Sequence, residues 1–148
     1  MKNMDNNKIH INEETQFAVL GLGKFGWSIT ESLFDNGVNV LFCDINEHLV
    51  QEASVYSTHA YVADVSEKAA LEKIGIGNFD VVIIAFSSDF EASAITATIL
   101  KEMGVPYIMA KANGPRQKYI LESIGVNRVV LPEKEMGERI AHGFIDKV

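Results

Sequence analysis

Gln16-Phe-Ala-Val-Leu-Gly-Leu-Gly-Lys-Phe-Gly-Trp-Ser-Ile29 reads as a short apolar strand running into Gly21-Leu22-Gly23-Lys24-Phe25-Gly26, which then opens a helix. In that context GxGxxG has physical meaning. The first Gly permits a tight turn, the second lets a pyrophosphate approach the backbone, and the third lets helix and strand pack closely. The helix N-terminus presents unpaired N–H groups to the anion. A second apolar run, Val38-Asn-Val-Leu-Phe-Cys-Asp44, ends in an acid about 20 residues on, the spacing of a ribose-binding carboxylate. Strand, glycine turn, helix, strand and acid together indicate an adenine-nucleotide or dinucleotide site.

Outward from this unit, apolar runs alternate with helical patterns. Strands are expected at Phe17–Leu20, Val38–Cys43, His59–Val62, Val81–Ala85, Tyr107–Ala110 and Arg128–Leu131, and helices near Phe25–Asp35, Glu47–Ser57, Glu67–Ile74, Phe90–Met103 and Pro115–Ile124. The strands are nearly continuous apolar runs, as expected when both faces of a sheet are covered. Such alternation predicts an α/β Rossmann-like, doubly wound parallel sheet of six strands, order 3-2-1-4-5-6, with helices on both faces and the ligand crevice at the carboxyl ends of the central strands. Asn36-Gly37, Gly104 and Gly125 stop helices, and Asn113-Gly114-Pro115 starts one. A further helix from Glu133 carries Met136, Ile140 and Phe144 on one apolar stripe, suited to packing on its own sheet or on a neighbour.

Composition narrows the function. The net charge of −7 leaves no basic surplus for phosphate neutralisation, which argues against nonspecific nucleic-acid binding. A single cysteine, Cys43, excludes an intrachain disulfide and fits a reducing compartment as a small buried hydrophobe. No apolar run reaches the roughly 18–20 residues that span a bilayer. The polar start of the chain lacks a signal-peptide core, and residues 1–13 are expected to form a mobile tail, followed by a nucleotide-binding domain over 14–132 and the amphipathic helix over 133–148.

Several side chains sit where the crevice should be. Asp44 is the ribose candidate, or else a helix cap, and its charge would repel a 2′-phosphate, which disfavours NADP. Asp64 lines the adenine side or caps the next helix. Lys24 and Lys111 face the phosphates as point charges or project into solvent. Ala85-Phe86-Ser87-Ser88-Asp89 closes the fourth strand, where Ser88 and Asp89 also have the character of N-caps. No catalytic motif accompanies the site: there is no G-x-S-x-G elbow, no H-E-x-x-H and no Cys–His metal spacing. The four histidines are scattered, and nothing supplies a pocket facing a nicotinamide. The pattern is that of a nucleotide sensor and not an enzyme. A small NAD(H)-dependent oxidoreductase and a stand-alone nucleotide-binding assembly module are the alternatives.

Phe17-Ala-Val-Leu-Gly-Leu-Gly-Lys-Phe-Gly26, Cys43-Asp-Ile-Asn-Glu47, Thr58-His-Ala60, Gly77-Asn-Phe-Asp80 and Leu131-Pro-Glu-Lys-Glu-Met-Gly137 resemble the N-terminal regulator-of-K⁺-conductance (RCK) domain of Ktr/Trk potassium-uptake regulatory subunits, most of all the Ktr branch. The likeness runs from about Thr15 to the end of the chain. It implies homodimers assembling into an octameric ring, cytoplasmic and peripheral to the inner face of the membrane beneath a K⁺ transporter subunit (KtrB- or TrkH-like). Exchange of ATP for ADP, or alternatively of NAD⁺ for NADH, would change ring shape and gate ion flux. The resemblance places nucleotide contacts on Gly21, Leu22, Gly23, Lys24, Phe25, Gly26, Asp44, Ile45, Asp64, Val65, Ala85, Phe86, Ser87 and Lys111. It also places a Mg²⁺- or Ca²⁺-binding role on Glu133 at the nucleotide or dimer interface. Against the family pattern, Lys24 stands for Arg, Trp27 for a small residue, Asp64 for Asn and Ser87 for Gly. The family's C-terminal RCK domain has no counterpart in this sequence, which is expected to be a piece of a longer protein or a one-domain variant.

Overall fold

The computed structural model describes residues 10–56 and 59–146. Six parallel strands form one sheet: β1 (Phe17–Leu20), β2 (Val40–Asp44), β3 (His59–Val62), β4 (Val81–Ile84), β5 (Tyr107–Lys111) and β6 (Arg128–Val130). Their order is β3-β2-β1-β4-β5-β6, the doubly wound arrangement that the alternating pattern predicts. Six helices intervene or follow: α1 (Lys24–Asp35), α2 (Glu47–Ala53), α3 (Lys68–Lys73), α4 (Phe90–Glu102), α5 (Pro115–Ile124) and α6 (Pro132–Ile145). Among the described residues no helix is long and apolar enough to cross a membrane.

The central strands β1 and β4 are buried along their whole length, so successive side chains feed two separate cores. On one face, Val19, Phe42, Val81 and Ile83 pack against α1 and α2 through Leu33 and Val50. On the other, Ala18, Leu20, Val82, Ile84 and Ile108 pack against α3, α4 and α5 through Leu71, Leu100 and Leu121. Register is pinned at the amino ends of β1 and β4, where the Asp80 Oδ2 accepts from the Gln16 amide at 2.8 Å and the Asp80 and Val81 amides both donate to the Gln16 carbonyl.

Helices α1, α4 and α5 end in the same hook. The amide of the glycine donates three residues back and the amide of the next valine five residues back: Gly37 to Phe34 and Val38 to Leu33, Gly104 to Lys101 and Val105 to Leu100, Gly125 to Glu122 and Val126 to Leu121. This double closure needs a positive φ, which Gly37, Gly104 and Gly125 supply. It also shortens the expected second strand. The Val38 amide belongs to the cap of α1, and β2 starts only at Val40.

Other boundaries shift by a residue or two. The strand expected to run to Ala85 ends at Ile84, and the helix expected through Ser57 is α2 followed by a 3₁₀ turn over Ser54–Tyr56, Ser57 lying outside the described residues. Helix α6 starts at Pro132 rather than Glu133. Of the expected tail, residues 1–9 lie outside the described residues, while Asn12 to Thr15 close a turn in which the Asn12 Oδ1 accepts from the Glu14 amide at 2.7 Å.

Candidate functional site

The carboxyl ends of β1 and β2 are drawn together by the loops that follow them. The Gly21 amide donates to the Cys43 carbonyl at 2.8 Å. The Leu22 amide donates to the Asp44 Oδ2 at 2.7 Å, and the Asn46 amide to the Asp44 Oδ1 at 2.7 Å. Asp44 is therefore not the cap of α2. That role falls to Asn46, whose side chain accepts from the His48 and Leu49 amides. Asp44 instead clamps the glycine loop against the end of β2. Each carboxylate oxygen has two acceptor positions, so the carboxylate retains capacity for a ribose hydroxyl.

The three glycines differ in their surroundings. A Cβ on Gly26 would collide with the Gly21 carbonyl and come within 3.0 Å of the Ala85 Cβ, whereas a Cβ on Gly23 would meet nothing within 4 Å. Gly26 is the packing glycine and Gly23 faces open space. Gly21 has φ +102° and lies against Phe86. The first turn of α1 contains no acidic residue, and its cap position, Gly23, offers no side chain. The amides of Lys24, Phe25 and Gly26 thus have no intrahelical acceptor, and the first paired one is Trp27, donating to the Gly23 carbonyl at 2.8 Å. An open glycine at an uncapped helix N-terminus is chemically suited to a phosphate.

Two cations border this end. Lys24 is exposed at the start of α1. Lys111, at the end of β5, holds its ammonium 5.9 Å from the centre of the Phe25 ring, a distance at which the ring quadrupole attracts it. The Lys111 ammonium therefore lies beside the first turn of α1, next to the glycine turn.

The remaining expected contacts differ in character. Leu22 and Val65 bury their side chains in the two cores, and the Val65 carbonyl accepts from the Thr96 hydroxyl at 3.1 Å, so both present backbone only. Ile45 is exposed. Asp64 is not a cap of α3: its Oδ1 accepts from the Ser66 hydroxyl at 2.6 Å and the Ser66 amide at 3.0 Å, and these bonds hold its carboxyl below the usual range. Ala85 and Ser87 are buried behind the loop, and Phe86 is partly buried. Asp89 is an N-cap, accepting from the Ala92 amide. Glu133 is exposed in the first turn of α6, and no group of three or more His, Cys, Asp or Glu side chains able to hold a metal occurs among the described residues.

Asn113, two positions beyond β5, donates from its Nδ2 to the Ser87 carbonyl at 3.1 Å and accepts from the Ser87 hydroxyl at 2.8 Å. The Asn113-Gly114-Pro115 turn marks the loop, but only the neighbouring strand end reveals the partner.

Residues 17–132 match the TrkA-N domain family. The chain belongs to that family. This TrkA-N domain is 43% identical over 132 residues to Ktr system potassium uptake protein A of Bacillus subtilis, covering 89% of this chain and 60% of the relative. It is 38% identical over 134 residues to Ktr system potassium uptake protein A of Vibrio alginolyticus, covering 90% and 61%. The chain thus spans about three-fifths of the length of these curated relatives. Among solved structures, the TrkA-N domain of the Escherichia coli inner membrane protein ybaL superposes with a TM-score of 0.78 at 13% identity, covering 86% of this chain and 95% of that one. The GsuK channel bound to NAD gives 0.68 at 13% identity, covering 81% and 22%, and GsuK bound to ADP gives 0.67 at 13%, covering 81% and 32%. At these identities the superpositions establish the six-stranded TrkA-N fold.

Proposed function

We propose that this TrkA-N domain binds an adenine nucleotide and forms the sensing part of a cytoplasmic regulator of a membrane K⁺ uptake transporter. The single observation that carries the nucleotide reading is the pairing of an open, uncapped glycine turn at Gly23 with the Asp44 carboxylate clamped beside it. The turn suits a diphosphate and the carboxylate a ribose. The transporter reading is supported by the Ktr relatives. Glycine-loop amides together with Lys24 and Lys111 favour ATP or ADP, with NAD⁺ or NADH as the alternative ligand. GsuK, a channel of the same fold, has been seen with both NAD and ADP.

Regulation follows from differential binding. A nucleotide favours whichever arrangement of the assembly it contacts more strongly, and transport responds to that arrangement. No side chain of α6 is buried, and Met136, Ile140 and Phe144 are all more than half exposed. This apolar stripe supports a dimer in which α6 packs on a second copy, the first step toward an octameric ring. The exposed Glu133 in the first turn of α6 is the carboxylate proposed to share a divalent cation, Mg²⁺ or Ca²⁺, with a phosphate in that dimer. No catalytic constellation is needed for such a role.

Co-purification of the full chain with a membrane K⁺ transporter subunit, with and without ATP and ADP, tests the reading. Retention that changes with the nucleotide supports it, and nucleotide binding without any transporter association would leave only an assembly module.

A further inference from the structure

We propose that the Ser87–Asn113 pair is a specificity latch that closes the second nucleoside half-site and restricts this domain to mononucleotides. The proposal rests on the nucleotide-binding reading above and adds the residues that set the ligand class. In a doubly wound sheet of this strand order, a ligand's phosphates lie at the β1 loop and its first nucleoside extends over β2. The second nucleoside of a dinucleotide extends the other way, over the carboxyl ends of β4 and β5. Ser87 follows β4 and Asn113 follows β5, and these strands are neighbours. The two residues face each other across the ground a second nucleoside would occupy.

The pair is closed in both directions. The Ser87 hydroxyl donates to the Asn113 Oδ1 at 2.8 Å, and the Asn113 Nδ2 donates to the Ser87 carbonyl at 3.1 Å. The Asn113 amide donates onward to the Gln117 Oε1 at 2.9 Å, which ties the loop to the first turn of α5. Ser87 is only 7% exposed. A nicotinamide riboside needs hydrogen-bonding partners from these two strand ends. Here they bond to one another, so entry would break bonds already made and gain correspondingly little. The phosphate turn and the ribose acid have no such obstruction, since Gly23 faces open space and Asp44 retains acceptor positions.

Calorimetric titration of ADP and NADH into the wild-type chain, Asn113→Ala and Asn113→Ser tests this. The wild type is expected to bind ADP at least as tightly as NADH. Either substitution should shift the ratio of the two dissociation constants toward NADH by roughly three- to tenfold, the range of one or two net hydrogen bonds, with ADP affinity held within about twofold. Retained ADP affinity also reports that the variants fold. An unchanged ratio overturns the latch while leaving nucleotide binding intact. So does a parallel loss of both ligands in both variants, because the pair would then serve only to hold the loops. Failure of the wild type to bind either ligand overturns the nucleotide reading itself, and the latch with it.

Discussion

The Asp44 carboxylate accepts a hydrogen bond from the Leu22 amide at 2.7 Å, joining the end of the second strand to the middle of the glycine turn. The acid that would hold a ribose thus also shapes the turn that would hold the phosphates. Substituting it removes two acceptors, one for Leu22 and one for Asn46. Asp44→Ala should therefore lower stability by about 1–3 kcal/mol, the range for removing one partner of such bonds. It should also weaken ribose-bearing ligands by roughly 1.5–3 kcal/mol. Urea unfolding and nucleotide titration of the same variant measure both. Unchanged stability would refute the clamp, and unchanged nucleotide affinity would refute the ribose role.

The glycines of the turn should separate fold from ligand. Gly26→Ala drives a Cβ into the Gly21 carbonyl and to within 3.0 Å of the Ala85 Cβ, an overpacking costing on the order of 3 kcal/mol or more. Gly23→Ala meets no atom within 4 Å and should melt close to the wild type while losing nucleotide affinity, because its methyl projects where a phosphate approaches the backbone. Thermal melts of the two variants, with and without ADP, give the comparison. A Gly23→Ala protein that ADP stabilises as strongly as the wild type would contradict the placement of the phosphates.

Much of this was legible in the chain. The central strands β1 and β4 are unbroken apolar runs because they are covered on both faces, whereas the edge strand β3 is largely exposed, and helices α1, α4 and α5 end at glycines whose positive φ the hooks require. The misread boundary at Val38 has a physical cause: an apolar residue beside a strand donated its amide to the preceding helix cap. The glycine loop and Asp44 announced themselves by spacing. What spacing cannot give is contact between distant loops. The double duty of Asp44, the Lys111 ammonium over Phe25 and the Ser87–Asn113 pair all depend on which strand ends become neighbours. Of the two readings of Asp64, the cap of α3 is excluded because its carboxylate accepts from Ser66 two residues on.

Cys43 offers a pH test of the sheet. Burial first, and then the nearby Asp44 and Asp64 carboxylates, push its thiol from 9.0 up to about 12. Its contribution to stability is fully present below pH 9. As pH rises from 9 toward 12, the unfolded thiol ionises while the folded one keeps its proton, so that contribution is lost. The stability of the wild type relative to Cys43→Ala should fall across this window in denaturant titrations. Alkylation at pH 8 should be far slower in the folded chain than in urea. A thiol that reacts equally fast in both would show that the strand is not closed over it.

Assembly should depend on the exposed stripe of α6. The wild-type chain is expected to be dimeric in light scattering at concentrations on the order of tens of micromolar. Replacing Ile140 and Phe144 with Glu, at positions 54% and 72% exposed, should give a folded monomer whose melting temperature no longer depends on protein concentration. A wild-type monomer at that concentration would sink the proposed dimer.

The divalent-cation role of Glu133 predicts a ligand-dependent metal effect. Mg²⁺ or Ca²⁺ should raise ATP affinity more than NADH affinity, since only ATP offers a terminal phosphate for the cation to bridge. Glu133→Gln should abolish the difference. Titrations with and without metal decide the matter, and equal metal dependence for both ligands would count against the bridge.

The central claim is that the glycine turn, Asp44 and the two lysines form an adenine-nucleotide site. It is tested most directly by calorimetric titration of ATP, ADP, AMP, NAD⁺ and NADH into the wild-type chain. The account predicts saturable binding of one nucleotide per chain, with ATP and ADP ahead of NAD⁺ and NADH. Absence of heat for all five, at protein concentrations where the sheet is folded, would contradict it.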